Sequence, residues 1–325
     1  MADQQEWSIV EDNQPRPENL DYDLRAALSS LFTLRSEVPE DAFTAHALGT
    51  ERAGTAVLVN DKGLLLTIGY LVAEAESLWI VGQDGAAVEG HPLAYDFTTG
   101  FGLVQALGKL PYLPLPLGNS SAVHVGDRVV FASAGGIEHA LAAQVVSKRE
   151  FAGYWEYVLD EAFFTTPVHP FWGGGAMLNE KGELVGIGSL YVGDARGHGM
   201  PSEGNMIVPI DLAKPLLQEI TDEGRVSIQS RPWLGFYTAE AENHLIVAGI
   251  APKGPAERAG VATGDVVLEV AGSPVGDLAD MFRTIWSLGD AGVTVPLTLV
   301  RDGARVTVKV PSADRNDFLK SPRLH

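Results

Sequence analysis

Apolar positions along this chain fall in short blocks divided by turn residues, and few stretches show a helical period. Ala56 to Asn60 is one such block, Asp61-Lys62-Gly63 a turn and Leu64 to Thr67 a second block, a pattern that predicts a hairpin. Strands are likewise expected at Ser77 to Gly82, around Ala87 to Ala94, at Gly102 to Ala106 and at Arg128 to Ala132. Turn signals at Asp84-Gly85, Gly118-Asn119 and Gly135-Gly136 separate them. Asp21 to Arg35 reads as a short helix or as a lead into a strand at Leu31 to Arg35, and Pro39 to Gly54 reads as a loop. Many short strands with regular turns predict a mainly β chain, built as a barrel or sandwich pair.

Further on, residues 211–222 predict a helix, with a linker around Thr221 to Ser230. Strands follow at Leu245 to Ala251, Val295 to Val300 and Ala304 to Val310, the last two joined by an Arg301-Asp302-Gly303 turn. The tail from Ser312 to His325 shows no pattern. A length of 325 residues suits two or three domains, each large enough for its own core.

Charge and composition narrow the function classes. The net charge is −19 and uneven: residues 1–228 hold 13 Lys/Arg against 31 Asp/Glu, whereas residues 229–325 hold 10 against 11. A field of that sign repels nucleic acid and anionic membrane, so neither is an expected partner. No run of about 18 apolar residues predicts a membrane span. Residues 1–23 carry seven acids, one arginine and two prolines, the composition of a disordered or loosely docked arm. They lack the basic start and apolar core of a secretory signal, so the expected compartment is the cytoplasm, or the periplasm where a signal has been removed. Zero cysteines exclude disulfides and thiolate chemistry.

The most informative stretch is His169-Pro170-Phe171-Trp172-Gly173-Gly174-Gly175-Ala176-Met177-Leu178-Asn179, which a turn at Asn179 to Gly182 leads into Gly186-Ile187. Three consecutive glycines describe a sharp turn with exposed N–H groups, able to cradle an anion. The segment resembles the active-site loop of HtrA-type, trypsin-like serine proteases, Pro-Gly-Asn-Ser-Gly-Gly-Pro-Leu-Val-Asn. Gly54 to Thr67, Leu117-Gly118-Asn119-Ser120 and Val125-Gly126-Asp127-Arg128-Val129 are similar to other segments of that family, in the same order. Arg231-Pro232-Trp233-Leu234-Gly235-Phe236 and Pro252 to Val267 resemble a PDZ domain of the HtrA arrangement. In that resemblance Ala256 to Gly260 is a short helix, Gly264 to Leu268 a strand entry and Leu278 to Leu288 the groove helix.

The implied fold is a trypsin-like double β-barrel followed by an α+β PDZ domain. The implied domains are an acidic arm and lead-in at residues 1–45, a protease-like domain at 46–222, a PDZ domain at 229–312 and a tail at 313–325. The implied chemistry is then missing its reagents. A serine protease needs a hydroxyl nucleophile, an imidazole base and an orienting carboxylate. The family's histidine position falls on Tyr70, its aspartate position on Gly100 and its serine position on Gly173. A phenol with an ordinary pKa of about 10 is no base at neutral pH. Residues 166–180 contain no serine, and the nearest hydroxyls are Thr165 and Thr166. His169 reads as a loop residue, Asp96 as a turn residue, and Phe171, Trp172, Gly173 and Gly174 as a remnant oxyanion loop.

The PDZ resemblance keeps its working parts. Backbone N–H groups of Leu234, Gly235 and Phe236 are expected to hold a peptide carboxylate, with the peptide added as a strand beside Phe236 to Thr238. Met281, Phe282 and Ile285 either face the groove or pack in the core. No His-Glu-x-x-His run, phosphate loop or dinucleotide fingerprint occurs, so no metal and no cofactor is expected. The expectation is an inactive HtrA-like protein that binds peptides or protein C-termini as scaffold, adaptor or regulator. The alternative is an HtrA-type serine endopeptidase with displaced catalytic residues. Family likeness makes a trimer, or assembly with an active relative, the expected oligomer.

Overall fold

Short apolar blocks flanked by turns close on themselves in the computed structural model of this chain, which describes residues 7–197, 199, 201–224, 230–241 and 244–320. Two units separate: Met1–Arg149 with Glu161–Ser227 and Lys320–His325 form the first, and Glu150–Asp160 with Ile228–Leu319 the second.

In the first unit, β1 (Leu31–Glu37), β2 (Glu51–Leu58), β3 (Leu64–Ile68), β4 (Ser77–Val81), β5 (Ala87–Tyr95) and β6 (Phe101–Ala106) close a barrel in the order β1-β2-β3-β6-β5-β4. Every residue of β3 is buried, as the unbroken run Leu64-Leu65-Leu66 requires. A second barrel closes as β10-β11-β12-β9-β8-β7, from β7 (Arg128–Ala132), β8 (Ala140–Gly153), β9 (Tyr157–Thr166), β10 (Ala176–Leu178), β11 (Leu184–Val192) and β12 (Gly204–Pro209). Closure leaves no free strand edge in either barrel. Phe131, Phe163, Met177, Val185 and Ile207 form part of a core of this unit.

Helix α1 (Leu24–Leu28) starts where the Asp23 carboxylate accepts the Ala26 N–H at 3.1 Å and buries Leu24 and Leu28. Both expected elements between Asp21 and Arg35 are therefore present, helix first and strand after it. The loop expected over Pro39 to Gly54 is corrected, because it contains α2 (Ala45–Leu48) and the first four residues of β2. The loosely docked arm is corrected over residues 7–23. The Ile9 N–H donates to Glu138 O at 2.7 Å, its side chain joins the core beside Phe131, and Trp7 stacks on His139 and Phe171. These apolar contacts, together with the hydrogen bonds of Trp7 O and the Ile9 N–H, dock a segment whose composition is polar on average. Residues 1–6 and part of the expected linker, 225–229, lie outside the described residues. The helix expected over residues 211–222 is the 3-10 turn Ile210–Leu212 followed by α3 (Lys214–Glu223).

The second unit holds a sheet in the order β13-β14-β15-β17-β18, with β16 paired to β15. Its strands are β13 (Phe236–Ala241), β14 (His244–Ile250), β15 (Val266–Val270), β16 (Ser273–Pro274), β17 (Thr294–Arg301) and β18 (Ala304–Pro311). Two helices accompany them, α4 (Pro255–Ala259) and α5 (Leu278–Trp286). Asp277 caps α5 by accepting the Asp280 N–H at 2.8 Å. The spacing of Leu278, Met281, Phe282 and Ile285 puts all four on the buried face of α5. The tip between β8 and β9, Glu150–Asp160, belongs to this unit, and Val158 sits in its core with Leu234, Phe236, Met281, Phe282 and Ile285.

Candidate functional site

Three separate connections carry Tyr70, Gly100 and Gly173, the positions that the sequence resemblance set against the family's triad. Tyr70 lies on the 3-10 turn Gly69–Leu71 after β3, Gly100 in the turn from β5 to β6, and Gly173 in the loop from β9 to β10. The Gly69 N–H donates to Gly100 O at 2.7 Å, and a Cβ built at Gly173 would stand 2.9 Å from the Tyr70 hydroxyl. The phenol thus takes the space a side chain at Gly173 would need. Its hydroxyl donates to Ser189 O on β11 at 2.8 Å. Burial pushes the Tyr70 pKa well above that of an ordinary phenol, nearby Tyr95 adds to the rise, and a hydrogen bond with the Trp172 side chain opposes it. Tyr70 is therefore a neutral donor and no general base.

Gly100 has φ +84°, in the left-handed region that favours glycine. Gly174 has φ +76°, and a Cβ there would meet Thr55 O at 1.9 Å, so the loop presses its backbone against β2. The Gly174 N–H donates to Gly188 O at 2.9 Å, and Thr55 N–H to Gly173 O at 2.9 Å.

In a working triad the oxyanion is held by the N–H of the nucleophile and of the residue two before it. That second group here is the Phe171 N–H, which donates to His169 Nδ1 at 3.1 Å. His169 is fully buried, and its Nε2 lies 3.1 Å from His139 O, which fixes the tautomer as Nε2–H. Burial lowers the His169 pKa to about 4, against the opposing pull of its hydrogen bond to His139 O. His169 is a neutral clamp on the loop. Asp96 accepts the Thr98 N–H, the Thr99 N–H and the Thr99 hydroxyl, at 3.0, 3.2 and 2.6 Å, which is the geometry of a turn-forming aspartate. Among the hydroxyls near the loop, that of Thr67 donates to Thr55 O at 2.6 Å, and Thr165 is fully buried.

Sequence reasoning missed the support beneath Tyr70. Buried Arg52 donates from Nη1 to Tyr70 O at 2.8 Å and Ala73 O at 3.0 Å, and from Nη2 to the Thr44 hydroxyl at 2.8 Å. Glu74 accepts the Thr44 hydroxyl and the N–H groups of Thr44, Phe43 and Lys320. Burial alone would raise the Glu74 pKa, and these bonds outweigh it to leave a net lowering.

In the second unit Leu234, Gly235 and Phe236 form the turn into β13, with Gly235 at φ +74°. The N–H groups of Leu234 and Gly235 donate to one oxygen of Glu156, at 3.3 and 3.1 Å. Burial raises the Glu156 pKa to about 7 against the opposing charge of Arg315 and these two N–H bonds. Leu234, Phe236, Met281, Phe282 and Ile285 are all buried, in the same cluster as Val158. Nothing in the sequence pattern pointed to Glu156.

Among the described residues no cluster of His, Cys, Asp and Glu is arranged to hold a metal ion. Residues 54–187 match the trypsin-like peptidase domain family and residues 232–311 the PDZ domain family. The chain is 26% identical to a putative serine protease, HhoA, of Synechocystis sp. over 287 residues, covering 80% of this chain and 70% of that protein. It is 27% identical over 272 residues to a probable periplasmic serine endoprotease, DegP-like, of Pseudomonas putida, and spans 55% of that relative's length. Among solved structures it is similar to an HtrA-type protease, AlgW, with a decapeptide, at a TM-score of 0.53 and 20% identity, over 92% of this chain and 98% of that one. A serine endoprotease from Yersinia pestis gives a TM-score of 0.53 at 21% identity, over 90% and 96% of the two chains. With two closed barrels and these matches, the chain holds a trypsin-like peptidase domain followed by a PDZ domain, the fold of the HtrA-type proteases to which it is similar.

Proposed function

We propose that this protein is a catalytically inactive HtrA-like protein that binds peptide segments or protein C-termini through its PDZ domain, as a scaffold, adaptor or regulator. The observation that carries this reading is the pairing of Gly173 with Tyr70. The nucleophile position has no side chain, and the phenol at the base position fills its space and spends its proton on Ser189 O. The Phe171 N–H engaged by His169 supports it further, since an oxyanion would have to win that donor back.

For peptide binding, the turn at Leu234, Gly235 and Phe236 offers N–H groups to a terminal carboxylate. β13 stands at the end of the sheet order, where an added strand can pair with it. Met281, Phe282 and Ile285 lie on the α5 face that would meet the peptide's apolar side chains.

The names of the relatives favour the other reading, a serine endopeptidase with displaced catalytic residues. A serine-directed phosphonate probe and casein digestion followed by mass spectrometry across neutral to alkaline pH decide between them. The expected result is no labelled residue and no fragments. Cleavage that disappears on changing a single residue would establish the endopeptidase. Light scattering tests the trimer we propose for the protein, and fractionation tests whether it shares the periplasmic compartment named for its DegP-like relatives.

A further inference from the structure

The β8–β9 tip is held to the PDZ fold by contacts along its whole length. At its apex Glu156 reaches the turn before β13 and accepts the Leu234 and Gly235 N–H groups on one carboxylate oxygen. Glu156 adopts φ +62°, a backbone state that a residue with a side chain keeps only when its surroundings hold it there. Two residues on, Val158 enters the apolar cluster beside Leu234, Phe236 and Phe282. Arg315 donates to Trp155 O at 3.0 Å, Tyr154 packs edge-on against Tyr237 of β13, and Arg283 of α5 pairs with both Glu150 and Asp160.

A carboxylate on the loop's N–H groups and an apolar side chain in the pocket beside them are what the C-terminal residue of a bound peptide would supply. From this geometry we infer that the PDZ peptide site is filled by a ligand of the same chain. Glu156 supplies the carboxylate and Val158 the apolar side chain, so that a C-terminal peptide binds only by displacing the tip. The inference rests on the peptide-binding reading above and adds to it a competitor built into the protein.

The competition follows from donor supply. Two backbone N–H groups already donated to one buried carboxylate cannot be donated to a second, and a second carboxylate left unpaired there would be strongly unfavourable. Apparent affinity is then the intrinsic affinity multiplied by the fraction of molecules whose site is empty.

The test uses the full chain and a short fluorescein-labelled peptide that ends in valine with a free carboxylate, its C-terminal amide serving as control. If the tip is docked in nine molecules of ten, Glu156→Ala binds the peptide about tenfold more tightly than the wild type by fluorescence anisotropy. Glu156→Gln, which keeps the shape of the tip and one acceptor oxygen, falls between them, and the amide gains nothing. Equal or weaker binding by a folded Glu156→Ala protein would overturn the inference. If no variant binds, the peptide-binding reading fails, and amide hydrogen exchange at Leu234 and Gly235 decides on the tip alone. Faster exchange in Glu156→Ala keeps Glu156 as the occupant of the loop, and unchanged exchange removes it.

Discussion

A side chain restored at Gly173 has no room while Tyr70 is present, because the new Cβ would sit 2.9 Å from the phenol oxygen. Gly173→Ser alone is therefore expected to cost about 1–3 kcal/mol by overpacking, read from urea unfolding, and to remain inert to a phosphonate probe. Adding Tyr70→His should relieve most of that cost. Aspartate at Gly100 meets a separate obstacle, since φ +84° strains a residue that carries a Cβ. His169 gives a pH signature. Its folded pKa of about 4 lies below the usual value, so its stabilisation is present above about pH 6.5 and is lost as pH falls, when the unfolded chain takes up a proton first. Between about pH 7.5 and pH 5 the loss through this residue should be about 2 kcal/mol, and His169→Gln should flatten that part of the profile. Tyr70, Gly100 and Gly173 could be singled out from sequence because they sit inside collinear motifs. The occupation of Gly173's space by Tyr70 could not be, since it depends on two loops meeting across more than a hundred residues of sequence.

Strand assignment from sequence worked best where an apolar block was bounded by turn residues on both sides, as at Leu64 to Thr67. It gave nothing over β8 and β9. Their outer halves, Glu150 to Asp160, alternate weakly because the partner that buries Val158 and Glu156 is the PDZ fold and not a strand neighbour. β12, buried along its whole length, was also missed. The α5 helix was expected from the PDZ resemblance, which could not say whether Phe282 faces a ligand or the core. Phe282 packs in the core, in one cluster with Val158 of the tip. The Arg283 pairs with Glu150 and Asp160 are partly exposed and worth little to global stability. Arg283→Ala should therefore leave the melting temperature almost unchanged while it speeds amide exchange across residues 150–160.

At the scale of the whole chain, charge and domain order carried more information than composition. The acidic excess lies almost entirely before residue 229, and the PDZ-like region is close to neutral, with 10 basic and 11 acidic residues over 229–325. Trp7 and Ile9 place apolar anchors in a segment that bulk composition assigns to solvent. The tip that carries Glu156 also has a consequence for concentration. A ligand on the same polypeptide faces its site at a fixed effective molarity, so diluting the protein does not empty the site and raising its level does not fill it further. The abundance and affinity of an outside C-terminus alone would then set how many molecules are open, so the response tracks the partner and is indifferent to how much of this protein the cell makes.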